Sequence, residues 1–210
     1  MWLLEELEVP YELVRYKRDA KTLLAPPELA QVHPLGKSPV VTDDGRTIAE
    51  SGAILEYLAE THGKGRLLPA PGTPEQLRCR YFMHYAEGSL MPPLLVLLLT
   101  TKVRSAPLPF FVKPVTRKIA DGIDGAYVEP NLVRHSAFIE AELSRSTWLA
   151  GEALTIADIQ MSYPVEALVE RAPDRVGPKT RAYVERIHAR PAYRRAIDKG
   201  GEVFPVRGSA

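Results

Sequence analysis

The spacing of apolar residues changes along the chain, and each change predicts an element. Trp2, Leu3, Leu4 and Leu7 share one helical face, and Val9-Pro10 stops that helix because a residue before proline avoids the α region. YELVRY, Tyr11 to Tyr16, alternates in polarity among strand-favouring residues and predicts a strand; a loop and a short segment around Glu28 to Val32 follow. Pro39 to Thr42 and Thr47 to Ala49 flank Asp43-Asp44-Gly45-Arg46, where Asp and Gly tolerate left-handed backbone, and predict an antiparallel hairpin. Ser51 is then placed to cap a helix that turns Ile54, Leu55 and Leu58 inward, with Gly63 at its C-terminal cap.

PAPGTPE, Pro69 to Glu75, has a linker's composition, and beyond it helical periodicity takes over, in Leu77, Tyr81 and Tyr85 and again in Leu132, His135, Ile139 and Leu143. The expected organisation is a small α/β module over residues 1–68, a linker over 69–75 and an all-helical module over 76–210. LTIAD, Leu154 to Asp158, is a helix start: Thr155 and Asp158 can exchange hydrogen bonds, and Leu154 can staple onto Ile159. The stretch Leu108 to Gly125 carries the weakest pattern.

Charge narrows the partners. With 27 basic and 26 acidic residues the formal charge is +1, which makes no electrostatic case for nucleic acid or an anionic membrane. Leu94 to Leu99 is far shorter than the roughly 20 apolar residues that cross a bilayer, and reads as core or pocket wall. A single cysteine, Cys79, forms no internal disulfide, and with no export leader before WLLEEL the expectation is a reducing cytoplasmic setting. His33, His62, His84, His135 and His188 are scattered without zinc-site spacing, so no metal is expected. No phosphate loop, G-x-G-x-x-G or G-x-S-x-G motif occurs.

The candidate chemistry lies in GKSPVVTDDGRTIAESGAILEYL, Gly36 to Leu58. A cis Ser38-Pro39 bond would turn the backbone of Ser38 outward, able to pair with an extended peptide. Glu50 and Ser51 stand at a helix mouth, where amide donors and the helix dipole favour a carboxylate while Glu50 can hold an ammonium group. Lys37 offers a point charge for a second carboxylate. Taken alone, Glu50-Ser51 is most often a simple cap and Lys37 a solvated charge; together they suit a short peptide with two carboxylates and a free amine.

HPLGKSPVV with ESGAILEYL resembles the glutathione-binding half of the cytosolic glutathione transferases. WLLEELEVPYEL, EGSLMPPLL and LTIADI extend the resemblance over essentially the whole chain. It implies a thioredoxin-like α/β domain joined to an all-α domain, and a homodimer. It also implies glutathione as co-substrate, with Ser38 before cis Pro39 holding the cysteinyl part, Glu50 and Ser51 the γ-glutamyl end, and Lys37 the glycyl carboxylate. Walls for a small hydrophobic electrophile are expected from Tyr81, Tyr85, Met91, Leu94 and Leu98; core is the plainer reading of the apolar ones.

Family members carry a strand and a loop before the WLLEEL helix, and that loop bears the serine, tyrosine or cysteine that acts on the glutathione sulfur. This sequence opens at the helix, so the thioredoxin-like domain is expected to lack its first strand, with roughly 10–20 residues belonging before Met1. No residue here is assigned the activating hydroxyl. The function implied is a detoxifying transferase in which the glutathione thiolate attacks electrophilic carbon. A glutathione-dependent peroxidase, reductase or isomerase, and a non-catalytic binding module, stand beside it.

Overall fold

A computed structural model describes residues 1–17, 19 and 25–201. Helix α1, Trp2–Leu7, ends at Glu8, which takes left-handed geometry (φ 57°) and donates its N–H to the Leu4 carbonyl. The apolar face of α1 packs against α3, Ser51–His62, and α10, Pro191–Gly200. Between α1 and α2, Pro27–Val32, the sequence expectation fails: Tyr11 to Tyr16 form no strand. A strand exists only through a ladder partner, and no described segment pairs with this one. Val14 is 61% exposed, so the alternation buries no face. The segment is held instead by side chains, Tyr11 donating to Glu5 Oε1 at 2.7 Å and Arg15 to the Lys199 carbonyl.

The hairpin forms as the sequence predicts. Strands β1, Val40–Asp43, and β2, Arg46–Ala49, pair antiparallel with Val40 opposite Ala49 and Asp43 opposite Arg46. Asp44 and Gly45 close the turn with φ of 46° and 76°, the paired positive values that match the twist of two strands. Asp43 fixes this hairpin to α3, its Oδ2 accepting from Tyr57 at 2.9 Å and contacting His62 Nε2 at 2.7 Å.

The helical part opens with α4, Pro74–Tyr85, capped by the Thr73 hydroxyl. A π turn, Ala86–Leu90, joins α4 to α5, Met91–Ser105. Pro92 and Pro93 have no N–H for the carbonyls four residues back and their rings crowd them, so the turn ahead widens. The same pairing recurs: α6, Lys113–Ile123, passes through a π turn, Asp124–Val128, into α7, Glu129–Leu143, whose second residue is Pro130. Thus Leu108 to Gly125, barely legible by periodicity, holds a connection, a helix and the start of a π turn.

Because the π turn does not break the helix, Pro74–Ser105 runs unbroken for 32 residues and has the length and composition of a membrane span, although 39% of its most apolar window is buried in the fold. The short-run argument from Leu94 to Leu99 therefore understates the helix.

Helix α8, Ile156–Arg171, runs through the core against α4, α3 and α9, Pro178–Ala189. Its start is the predicted reciprocal capping box of Thr155 and Asp158. The buried Asp158 carboxylate also accepts the Leu149 N–H at 2.9 Å and the Tyr183 hydroxyl at 3.1 Å. Burial pushes this carboxyl up from its ordinary range against the pull of those donors.

Candidate functional site

The hairpin register brings the two sequence motifs together. Since Val40 pairs with Ala49, the residues that continue each strand, Pro39 and Glu50, lie side by side at its open end. The Ser38-Pro39 peptide is cis, and Lys37, Ser38 and Pro39 are all exposed. Glu50 is the N-cap of α3 and holds φ 71°, ψ 123°, outside the regions an ordinary side chain favours. Such a conformation costs about 1–3 kcal/mol and concentrates at binding sites. Its side chain makes no capping bond, so the first amides of α3 keep their donors for another acceptor.

Ser51 does not cap the helix, contrary to the sequence expectation. It is the first helical residue, and its Oγ accepts a 2.9 Å hydrogen bond from Gln160 Nε2 of α8. That amide also reaches Glu87 Oε1 at 3.4 Å. Glu87 lies in the π turn before Pro92, so the widened turn carries a second carboxylate toward the mouth of α3. Burial pushes the Glu87 carboxyl up, and the Glu50 charge pushes it further.

Two carboxylates beside a helix N-terminus offer an acceptor for an ammonium group and free amides for a carboxylate, the two ends of an α-amino acid. Sequence reasoning missed Glu87 and Gln160. The available signals were an acid one helical turn or so ahead of the Pro92-Pro93 pair and an amide in the otherwise apolar stripe of α8.

The expected pocket residues divide. Tyr81 stacks on Tyr85 at 5.7 Å between ring centroids, and Phe138 of α7 completes the group. The Tyr85 hydroxyl meets His135 Nδ1 at 2.5 Å. Burial raises the Tyr85 hydroxyl well above the usual tyrosine range and lowers His135, so both stay neutral near pH 7. Met91 and Leu98 are half-buried on α5, while Leu94 is fully buried in the core. Burial raises the Cys79 thiol, which makes it a packing group and a poor nucleophile. Among the described residues no three His, Cys, Asp or Glu side chains are grouped to hold a metal ion.

The family model for the glutathione S-transferase N-terminal domain matches residues 1–60, and that for the C-terminal domain matches residues 120–191. The chain belongs to the glutathione S-transferase family. It is 36% identical over 178 residues to glutathione S-transferase 1 of Saccharomyces cerevisiae, covering 81% of this chain and 76% of the relative. A disulfide-bond oxidoreductase of Escherichia coli, YfcG, is 30% identical over 204 residues, covering 93% and 87% respectively. The crystal structure of a glutathione S-transferase from Actinobacillus pleuropneumoniae superposes with a TM-score of 0.74 at 31% identity, over 94% of this chain and 85% of that one. The fold is accordingly that of the glutathione S-transferases, a small thioredoxin-like N-terminal domain, here with a two-stranded sheet, joined to a helical C-terminal domain.

Proposed function

We propose that this glutathione S-transferase family member conjugates glutathione to small apolar electrophiles. The carrying observation is the open mouth of α3, with Glu50 in its strained geometry beside Pro39 and Ser51 held by Gln160. The γ-glutamyl carboxylate takes the first amides and the Ser51 hydroxyl, its ammonium lies against Glu50, the Ser38 backbone pairs with the cysteinyl unit, and Lys37 meets the glycyl carboxylate. In the reaction the glutathione thiolate forms a C–S bond to the electrophilic carbon as the leaving group departs with the electron pair. The residues named here bind and orient; none is assigned to thiol activation. Tyr81, Tyr85, Met91 and Leu98 form the side of the protein from which the electrophile is received, while Leu94, expected there from its spacing, packs behind them in the core. The enzyme acts as a homodimer in the cytoplasm, with domains 1–68 and 76–210 joined by 69–75.

Isothermal titration and steady-state kinetics with a chloronitrobenzene electrophile test the assignment. Glu50→Ala is expected to raise Kd and KM for glutathione about tenfold or more, a loss of ~1.4 kcal/mol, while kcat changes little. An unchanged KM removes Glu50 from the site.

The 30% identity to a disulfide-bond oxidoreductase favours a second reading, glutathione-dependent disulfide reduction at the same mouth. Turnover of a small disulfide with glutathione, absent with the chloronitrobenzene, selects it.

A further inference from the structure

The connection between α5 and α6 is the most exposed apolar feature described in the fold. Phe110 and Phe111 are 85% and 68% exposed, pack edge to face on each other at 5.6 Å, and make the tip of the helical hairpin. Pro107, Pro109 and Pro114 flank them, so the turn is short of backbone donors and conformationally restricted. Behind the tip, Leu95, Leu99 and Val103 make an exposed stripe on α5, and Val115, Ile119 and Ile123 make one on α6.

The charge around this tip is one-sided. From residue 100 to residue 120 the chain carries Lys102, Arg104, Lys113, Arg117 and Lys118 and no acid. Arg104 is ion-paired to Asp121 and Asp124, whereas Lys102, Lys113, Arg117 and Lys118 stand exposed. The overall charge of +1 averages this concentration away.

We propose that the α5–α6 tip is a membrane-surface anchor, in which Phe110 and Phe111 enter the headgroup boundary of an anionic bilayer while the surrounding lysines and Arg117 meet lipid phosphate and carboxylate. Exposed aromatic rings ringed by cations are the composition of interfacial anchors, and each cation near such a surface raises partitioning about fivefold. The same charge disfavours a second copy on this tip, since an isologous contact sets like cations against each other. The attachment is peripheral: the rings protrude from a folded hairpin, and neither helix needs to leave the core.

The full-length protein is mixed with phosphatidylcholine vesicles, with and without about one third phosphatidylserine, and sedimented. Binding to the anionic vesicles alone, weakening as salt is raised, is expected. Phe110→Ser/Phe111→Ser should lower that partition about tenfold or more, and Lys113→Glu/Arg117→Glu/Lys118→Glu should remove it. Both variants should retain the wild-type circular dichroism and glutathione affinity, which separates the anchor from folding and from the glutathione site. As a direct reading of depth, Phe110→Trp should shift its emission to the blue and be quenched by brominated lipid only with anionic vesicles. No vesicle binding overturns the proposal, as does binding that the Phe110→Ser/Phe111→Ser variant keeps in full. A change of sedimentation coefficient in that variant without vesicles would assign the tip to self-association instead.

Discussion

Asp158 concentrates more structural work than any other side chain described in the helical domain. One carboxylate oxygen takes the Leu149 N–H and the Tyr183 hydroxyl, and the other takes the Thr155 N–H and hydroxyl. Removing the carboxylate leaves four buried donors without an acceptor, each worth about 1–3 kcal/mol when unsatisfied. Asp158→Ala is expected to lower the free energy of unfolding by ~3–5 kcal/mol, measured by urea denaturation. A loss below ~1 kcal/mol means that water replaces the carboxylate. Glu50 is its functional counterpart: the backbone around Asp158 is relaxed and capped, whereas Glu50 holds an unfavourable conformation at an open helix end.

At the scale of elements, α3 is fixed at both ends by different means. Its start is set by the hairpin and by Gln160, and its end by Gly63, whose N–H returns to the Ala59 carbonyl at 3.0 Å. A Cβ added to Gly63 would stand 2.1 Å from that carbonyl oxygen, and backbone cannot move aside as a side chain can. Gly63→Ala is expected to cost ~1–3 kcal/mol of stability in a thermal melt, and a melting temperature at or above wild type refutes it. Elements set by local chemistry were the legible ones. The Asp-Gly turn and the Thr155–Asp158 box need only residues a few positions apart, and both formed where the sequence placed them. Tyr11 to Tyr16 has strand composition, but a strand requires a partner that local sequence does not supply. Glu87 and Gln160 are separated by 73 positions, a proximity that neither helical periodicity nor a short motif encodes.

The whole molecule is closed by contacts between its sequence ends. Glu5 of α1 is buried and receives Lys199 at 2.6 Å, Tyr11 at 2.7 Å and Arg195 at 2.8 Å. The lysine first, then the tyrosine and Arg195, hold its carboxyl down to about 2 from an ordinary 4.5. A carboxylate lowered by folding contributes stability that is complete above its unfolded value and disappears as pH falls through the folded one. Stability should therefore decline between about pH 4.5 and pH 2, and Glu5→Gln should flatten that limb of the curve of unfolding free energy against pH. An unchanged acid limb in the variant would assign acid sensitivity to other carboxylates. Glu6, bonded to Trp2 and Arg190, fastens the same face of α1 to the start of α10. The N-terminal helix is thus docked by charge as well as by Trp2, Leu3 and Leu7.

The π turn at Ala86–Leu90 shifts the phase of the long helix that contains it. A π turn is an α turn with one residue inserted, and at about 100° per residue an insertion rotates everything that follows on the helical wheel. Heptad positions counted forward from Tyr85 are therefore out of phase with those that bury Leu94. Deleting one residue inside 86–90 would turn the α5 stripe of Leu95, Leu99 and Val103 away from its present direction.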